Sequence, residues 1–249
     1  MMGDGSVLAG AEPKAAYGVL FVTLVVYFVA NPLVDEGGSI NIALNLMIIA
    51  ALMNALRTVV QDWRIVALAV LLGLGVLAER PMLLVGVPLR QAIIVQTVSM
   101  IAFFLLVAVP LLLDVYRASV VSFQTILGAC SMFLVLGFTW FGIFVLIEIA
   151  EPDSFVFAET HASDVWEGND EDTRYGWSRV ARGQLFYFTF VTITTLGFGD
   201  VRPVSVIART YTTLAAVLGQ FFLAVMIARL VGMHSANRRA AVDPVSNEE

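Results

Sequence analysis

The hydrophobic residues of this chain are gathered in long runs that short polar segments separate. A helix needs about 20 residues to cross the roughly 30 Å of a bilayer's hydrocarbon core. We interpret six of the runs as such helices, and they cover residues 15–30, 40–56, 63–78, 91–113, 123–149 and 204–231. The pattern therefore predicts an all-α membrane protein with six transmembrane helices.

A further apolar run, from Gln184 to Thr194, is only about half as long as a spanning helix. This length suits a helix that enters the membrane and turns back. The backbone that follows such a helix must line water or lie buried in protein. We therefore predict a re-entrant helix over residues 183–194, between the fifth and sixth transmembrane helices, followed by a loop at membrane depth.

Composition supports a lipid environment and excludes several classes of function. Hydrophobic residues make up 59% of the 249 residues and charged residues 14%, whereas a soluble domain has about 25% charged residues. The net charge of −6 argues against a nucleic-acid partner, which needs a basic face. The single cysteine, Cys130, allows no intrachain disulfide, and two histidines without a Cys/His cluster predict no bound metal. The single lysine, Lys14, beside many arginines indicates a prokaryotic source.

The segment after the half-length helix carries the candidate chemistry. It reads Thr195-Leu196-Gly197-Phe198-Gly199 and is followed by Asp200. Glycines at alternate positions let the backbone adopt conformations that other residues avoid, so that successive carbonyl oxygens can point to one side. Four such segments around an axis would form rings of oxygens that replace the water shell of a cation.

This segment resembles the signature of the potassium channel superfamily, Thr-x-Gly-Tyr/Phe-Gly-Asp, placed between an outer and an inner helix. The resemblance implies a homotetramer in a lipid bilayer that conducts K+ passively, with no enzymatic activity and no cofactor. It implies that K+ is coordinated by Thr195, Leu196, Gly197, Phe198 and Gly199, and that Asp200 lies at the outer mouth. Leu196 stands where valine is usual and Phe198 where tyrosine is usual.

The same resemblance divides the chain and orients it. The predicted divisions are a cytoplasmic N-terminus (1–14), a four-helix membrane region (15–117), a pore domain (118–232) and a short cytoplasmic tail (233–249). The pore domain comprises an outer helix (123–149), an extracellular loop (150–182), a pore helix (183–194), the filter (195–200) and an inner helix (204–231). The resemblance implies a location in the cell membrane. Since filters of this family face outward, both termini are expected on the cytoplasmic side.

The first four helices resemble a voltage sensor only in number. The fourth run, 91–113, contains no basic residue, and a helix without charge gains no energy from the membrane potential. Gating that depends steeply on voltage through this helix is therefore not expected.

Two further features allow more than one interpretation. Gly219, in the inner helix, is either a point of bending or a small residue that permits close helix packing. Polar residues among the first four helices belong either to a ligand or ion pocket or to interhelical hydrogen bonds and ion pairs; they are Asn45, Asn54, Arg57, Asp62, Arg64 and Gln96. Glu148 is expected to make a structural hydrogen bond behind the filter.

Other functions are compatible with parts of the pattern. A non-selective or sodium-permeable channel of the same superfamily would carry a similar filter, and secondary transporters also contain broken helices. Gly197–Asp200 also fits the Gly-x-Gly-Asp element of intramembrane aspartyl proteases, which need a second facing aspartate. The other acid near a helix core is Asp114.

Overall fold

The computed structural model describes residues 17–33, 39–118, 122–157 and 179–242, and these are mostly helical. The helices are α1 (Tyr17–Ala30), α2 (Ser39–Val59), α3 (Trp63–Val76), α4 (Glu79–Leu84), α5 (Leu89–Arg117), α6 (Phe123–Ala150), α7 (Arg179–Ile193) and α8 (Val206–Val242). A 3-10 turn, Asn31–Leu33, follows α1, and two short strands are β1 (Phe155–Phe157) and β2 (Val201–Pro203).

Four of the described helices, α2, α5, α6 and α8, are long and apolar enough to cross a membrane. Helices α1 and α3 are also apolar but have 14 residues each, about 21 Å at 1.5 Å per residue. Their length alone does not establish a span, so the six-helix count stays a prediction. Helix α7 has 15 residues and runs from Arg179 to Ile193 rather than over the predicted 183–194; its re-entrant course stays a prediction.

Helix α6 lies at the centre of the packing. It contacts α1 and α5 on one side and α7 and α8 on the other. Phe138 of α6 packs edge-on against Tyr27 of α1 and stacks against Phe186 of α7, with ring centroids 5.3 and 6.0 Å apart. Aromatic contacts of this kind hold the helix before the candidate filter against α1 and α6.

One small antiparallel sheet was not expected from the sequence. Phe155 pairs with Pro203 and Phe157 with Val201, and the Val204 N–H donates to the Ser154 carbonyl oxygen at 2.8 Å. Two strands of three residues are too short to leave a sequence signal. The sheet joins the segment after α6 to the segment before α8, so α7 and the loop that follows it leave and return at the same end of the molecule.

Several predicted boundaries differ from the structure. Helix α5 reaches Arg117 rather than residue 113, and α8 continues to Val242 and so takes in part of the predicted tail, 233–249. Asp62 does not pair with the Arg64 guanidinium; its carboxylate caps α3 by accepting the Arg64 backbone N–H at 2.9 Å. The predicted N-terminus, 1–14, and most of the predicted loop, 150–182, lie outside the described residues.

Candidate functional site

Residues 195–200 are held at both ends. On the N-terminal side, α7 packs against α6 and α8. On the C-terminal side, β2 pairs with β1, and the Ser205 hydroxyl accepts the Ala208 N–H at the start of α8 and the Ser154 hydroxyl hydrogen. The two ends of the loop are therefore both fixed, one by the packing of α7 and the other by the β1–β2 sheet and Ser205.

Glu148 stabilises the C-terminal support, at the turn that precedes β1. Its side chain is buried and accepts the backbone N–H groups of Asp153 and Phe155 at 2.9 and 3.1 Å. These bonds shape the turn that leads from α6 into β1. Glu148 therefore makes the structural hydrogen bonds expected of it, but to the turn beside β1 and not to the filter.

The backbone of the loop alternates in conformation. Thr195, Gly197 and Gly199 have φ angles of 59°, 60° and 80°, whereas Leu196 and Phe198 between them do not have positive φ. Alternation of left-handed and right-handed residues collects successive N–H groups on one side of the chain, which turns the carbonyl oxygens to the other side. The two glycines adopt positive φ readily. Thr195 is β-branched, so its positive φ is a strained conformation.

The first three N–H groups of the loop are bonded back to α7. The Thr195 N–H donates to the Thr192 carbonyl oxygen at 3.0 Å, and the Leu196 and Gly197 N–H groups donate to the Val191 carbonyl oxygen at 2.9 and 3.4 Å. Within the described part of the chain, no carbonyl oxygen of residues 195–199 accepts a hydrogen bond. A row of polar oxygens therefore has no hydrogen-bond partner among the described residues.

The side chain of Thr195 lies where the loop meets α8. Its hydroxyl donates to the Thr194 carbonyl oxygen at 2.7 Å and accepts an N–H of the Gln220 amide at 2.9 Å. The two bonds hold Thr195 in its strained conformation. The contact with Gln220, 25 residues away, was not anticipated from the sequence.

Gly219 lets α8 approach the end of α7. A Cβ atom at this position would lie 2.4 Å from the Ile193 carbonyl oxygen and 3.0 Å from its Cα, which no side chain can do without moving backbone. Helix α8 is continuous through this residue. The close-packing interpretation of Gly219 thus has a direct geometric basis, while bending stays a prediction.

The remaining predicted residues lie at the outer part of the loop. Leu196 and Phe198 are 59% and 65% exposed, and the Phe198 ring stacks parallel to Tyr187 with centroids 6.4 Å apart. Asp200 accepts the N–H of Val201 at 3.1 Å. Most of the loop surface is therefore uncovered in one chain.

A second contact links α8 to the first helices. The Arg229 guanidinium donates to the carbonyl oxygens of Val115 and Ala118, both at 2.7 Å, and to that of Tyr116. It also lies 4.7 Å from the centre of the Tyr116 ring. Arg229 therefore caps the C-terminal end of α5, where a helix presents unpaired carbonyl groups.

Comparison with known proteins assigns this region to a class. Residues 154–235 match the model of a family described as ion channel; the match covers β1, α7, the loop, β2 and most of α8, but none of α1–α6. Comparison with curated proteins and with solved structures finds no match. The match and the long apolar helices indicate an ion channel pore module in a multi-pass membrane protein.

Proposed function

We propose that the chain is one subunit of a homotetrameric, potassium-selective channel. The observation that carries the proposal is the alternating backbone of residues 195–199. Its first three N–H groups are bonded to α7, and its carbonyl oxygens accept no hydrogen bond from the described residues. Desolvated carbonyl oxygens are the ligands that replace the hydration shell of K+ in such filters. A non-selective channel of similar build is the alternative that selectivity measurements separate.

In the proposed mechanism, K+ leaves its water shell between rings of backbone oxygens. The carbonyl oxygens of Leu196, Gly197, Phe198 and Gly199 would form successive rings, and the Thr195 hydroxyl would form the innermost one. Asp200 would attract cations at the outer mouth through its charge. No covalent step is involved, and the permeant K+ is the only ligand that the proposal needs.

Four copies are required because one loop supplies one side of each ring. Helix α8 supports this assembly, since only 17% of its apolar window is buried within the chain. Its exposed residues include Tyr211, Leu214, Phe221, Val225 and Ile227. In a tetramer, part of this face would pack on neighbouring subunits and the rest would meet lipid.

The proposed topology has six transmembrane helices in a prokaryotic cell membrane and a re-entrant α7. Both termini lie on the cytoplasmic side. The pairing of β1 with β2 supports the re-entrant path, because the chain leaves this small sheet before α7 and returns to it directly after residues 195–200. The route from α6 to α8 therefore need not cross the membrane a second time.

We also propose that voltage does not open the pore through α5. Arg90 and Arg117 lie at the two ends of this helix, with no basic residue between them. Moving one charge through the full field is worth about 2.3 kcal/mol per 100 mV, and residues 91–113 of α5 carry none. Conductance measured between roughly −150 and +150 mV should lack a steep sigmoid rise.

The protease alternative finds no support in the geometry. Arg229 contacts Val115, the neighbour of Asp114, whereas Asp200 precedes the start of α8 at Val206. Arg229 follows Val206 by 23 positions along α8, a rise of roughly 35 Å. Asp114 and Asp200 therefore lie near opposite ends of α8, too far apart to share a proton.

The decisive experiment is the reversal potential of purified protein in planar bilayers under opposed K+ and Na+ gradients. The proposal predicts a reversal potential close to that of K+; equal permeability to the two ions would assign the non-selective alternative. Gly199→Ala should abolish conduction while the tetramer still forms, because φ is +80° at this position.

Gly86→Ala is a matched control for that variant. Gly86 has a φ of +81°, and a Cβ at either glycine would meet no atom within 4 Å. Both substitutions therefore introduce similar backbone strain, but Gly86 lies in the turn before α5, away from the filter. Loss of conduction in both variants would mean that strain in general, rather than the filter, limits activity.

A further inference from the structure

A cavity of about 430 Å³ lies between the first five helices, α6 and the start of α7. This volume falls in the range of small-ligand pockets. Tyr27, Asn45 and Gln96 of three different helices line it, and Arg182 and Gly183 contribute from the first turns of α7. The cavity thus connects the helices before the pore module to the helix that carries the filter.

The lining contains an incomplete hydrogen-bond network. The Tyr27 hydroxyl donates to the Asn45 amide oxygen at 3.2 Å, and the Asn45 amide N–H donates to the Asn41 oxygen at 2.7 Å. The Gln96 amide donates to the Val76 carbonyl oxygen at 3.1 Å. Each amide has four hydrogen-bonding positions, so the Asn41 N–H groups and the Gln96 oxygen remain available in the described part of the chain.

Such a lining suits a polar occupant better than an acyl chain. An amide left without a partner in an apolar environment costs roughly 2–7 kcal/mol, and hydrocarbon offers no partner. Asn45 and Gln96 were each compatible with a pocket or with interhelical bonds on sequence grounds. In the structure both residues make such bonds and also face the cavity.

Charge indicates which polar group fits. Among the described residues, two guanidinium groups (Arg80 and Arg182), one carboxylate (Glu79) and neutral amides line the cavity. Arginine forks match phosphate oxygens, so a phosphate group suits the two guanidinium groups. Apolar neighbours extend to Leu84, which is 90% exposed, so one side of the cavity is open toward the surface where lipid would lie.

We propose that this cavity binds a phosphate group, carried by an anionic lipid whose acyl chains run past Leu84 or present as free phosphate. The amides would bond hydroxyl or ester oxygens beside the phosphate, and Glu79 would accept a hydroxyl hydrogen. Because Arg182 and Gly183 belong to α7, an occupant stabilises the position of α7 against the first helices. The inference concerns binding alone and does not depend on which ion the pore conducts.

The test uses the full chain in phosphatidylcholine nanodiscs with increasing phosphatidylglycerol. Native mass spectrometry should show phosphatidylglycerol retained, and Tm should rise with its mole fraction. Asn45→Leu should weaken retention about tenfold. Asn54→Leu, at an exposed residue of the same helix that does not line the cavity, should leave retention unchanged. Neither substitution alters charge, so attraction to the anionic surface is the same in both.

A second pair of variants tests the arginine side chains. It also keeps the test valid if Asn45→Leu does not fold. Arg80→Gln, at an exposed position in the lining, should weaken retention about tenfold. Arg64→Gln removes an exposed arginine at the start of α3 that does not line the cavity and should have no effect. Equal retention of phosphatidylglycerol in wild type, Asn45→Leu and Arg80→Gln would exclude the lipid as the source of the phosphate group.

Inorganic phosphate in pure phosphatidylcholine nanodiscs separates the two sources. A saturable rise in Tm that Arg80→Gln removes assigns free phosphate, whereas no rise with phosphate but retention of phosphatidylglycerol assigns the lipid. Absence of both effects would overturn the proposal.

Discussion

Helices α6 and α8 are both long and strongly apolar, yet they are covered to very different extents. Within the chain, 61% of the apolar window of α6 is buried, against 17% of that of α8. Helix α6 is enclosed by α1, α5, α7 and α8, whereas α8 contacts mainly α6 and α7. Hydropathy therefore predicts that a helix is shielded from water, but it does not predict whether protein or lipid replaces the water. Around α6 the chain itself replaces the water, whereas most of α8 is left exposed to lipid or, in the proposed tetramer, to further subunits.

The largest expected effect comes from a pair of phenylalanines that represent the two helices. Phe144 of α6 is fully buried and touches the rings of Trp140, Phe155 and Phe188. Phe144→Ala should lower the free energy of unfolding by about 3–5 kcal/mol. Phe221 of α8 is 62% exposed, so Phe221→Ala should change the stability of the single chain by about 0.5 kcal/mol or less.

Thermal unfolding in detergent measures the first effect, and crosslinking or size-exclusion chromatography measures assembly. Phe221→Ala should reduce the tetramer fraction if its ring packs on a neighbouring subunit. A loss of monomer stability equal to that of Phe144→Ala would show that α8 is covered within its own chain, and the contrast between the helices would be wrong.

The next prediction compares two glycines of α8. A Cβ at Gly219 meets the Ile193 backbone at 2.4 Å, whereas a Cβ at Gly232 meets no atom within 4 Å. Gly219→Ala should destabilise the packing of α7 on α8 by about 1–3 kcal/mol and lower conduction at least about tenfold. Gly232→Ala should instead stabilise the helix by up to about 1 kcal/mol.

Conduction per assembled tetramer and thermal unfolding together check this pair. Normal conduction in Gly219→Ala would show that α8 moves away from α7 without harm, and that the close contact is not needed. A glycine of α6 gives a useful third point. A Cβ at Gly137 would meet the side chain of Phe190 at 2.4 Å, so Gly137→Ala should be relieved in part by rotation of that ring.

Local signals explain what the sequence could predict. Helices α3 and α6 begin at Trp63 and Phe123, as expected, because Asp62 and Ser122 cap them through their own side chains. A separate helix before residues 195–200 could be predicted because the apolar run Gln184–Thr194 is too short to span a bilayer; that it is re-entrant stays a prediction. The two glycines of the filter were readable because their conformation requires them.

Other features depend on contacts between residues that are distant in the sequence, and these could not be predicted from it. Gln220 bonds Thr195 and Arg229 bonds the end of α5 only because the fold brings them together, and neither residue is marked by its neighbours. The end of α8 was placed at residue 231 because hydropathy ends there, although helical backbone continues to Val242. Helix formation depends on backbone hydrogen bonds that do not require lipid.

A smaller effect is expected where α8 meets the first helices. Arg229→Ala removes three bonds to the carbonyl oxygens at the end of α5 and should cost about 1–2 kcal/mol of unfolding free energy, since the group is partly exposed. Arg229→Lys should recover only part of this, because an ammonium cannot reproduce the guanidinium fork. Arg117→Ala, at an exposed residue at the end of α5, is the control. An unchanged Tm in Arg229→Ala would show that α8 is not fastened to α5.

The smallest expected effect concerns the one described side-chain hydrogen bond from α8 to the filter. Gln220→Leu removes the amide N–H that Thr195 accepts and should cost about 0.5–1.5 kcal/mol, so the protein should fold and assemble normally. The strained Thr195 would then be held only by its bond to the Thr194 carbonyl oxygen, and the innermost ring should become less uniform. We expect the K+/Na+ permeability ratio, measured from reversal potentials, to fall several-fold, with Gln220→Asn intermediate because its shorter amide cannot reach the hydroxyl as well. An unchanged ratio in both variants would mean that α7 alone positions Thr195, and that α8 contributes to the pore through assembly rather than through the filter.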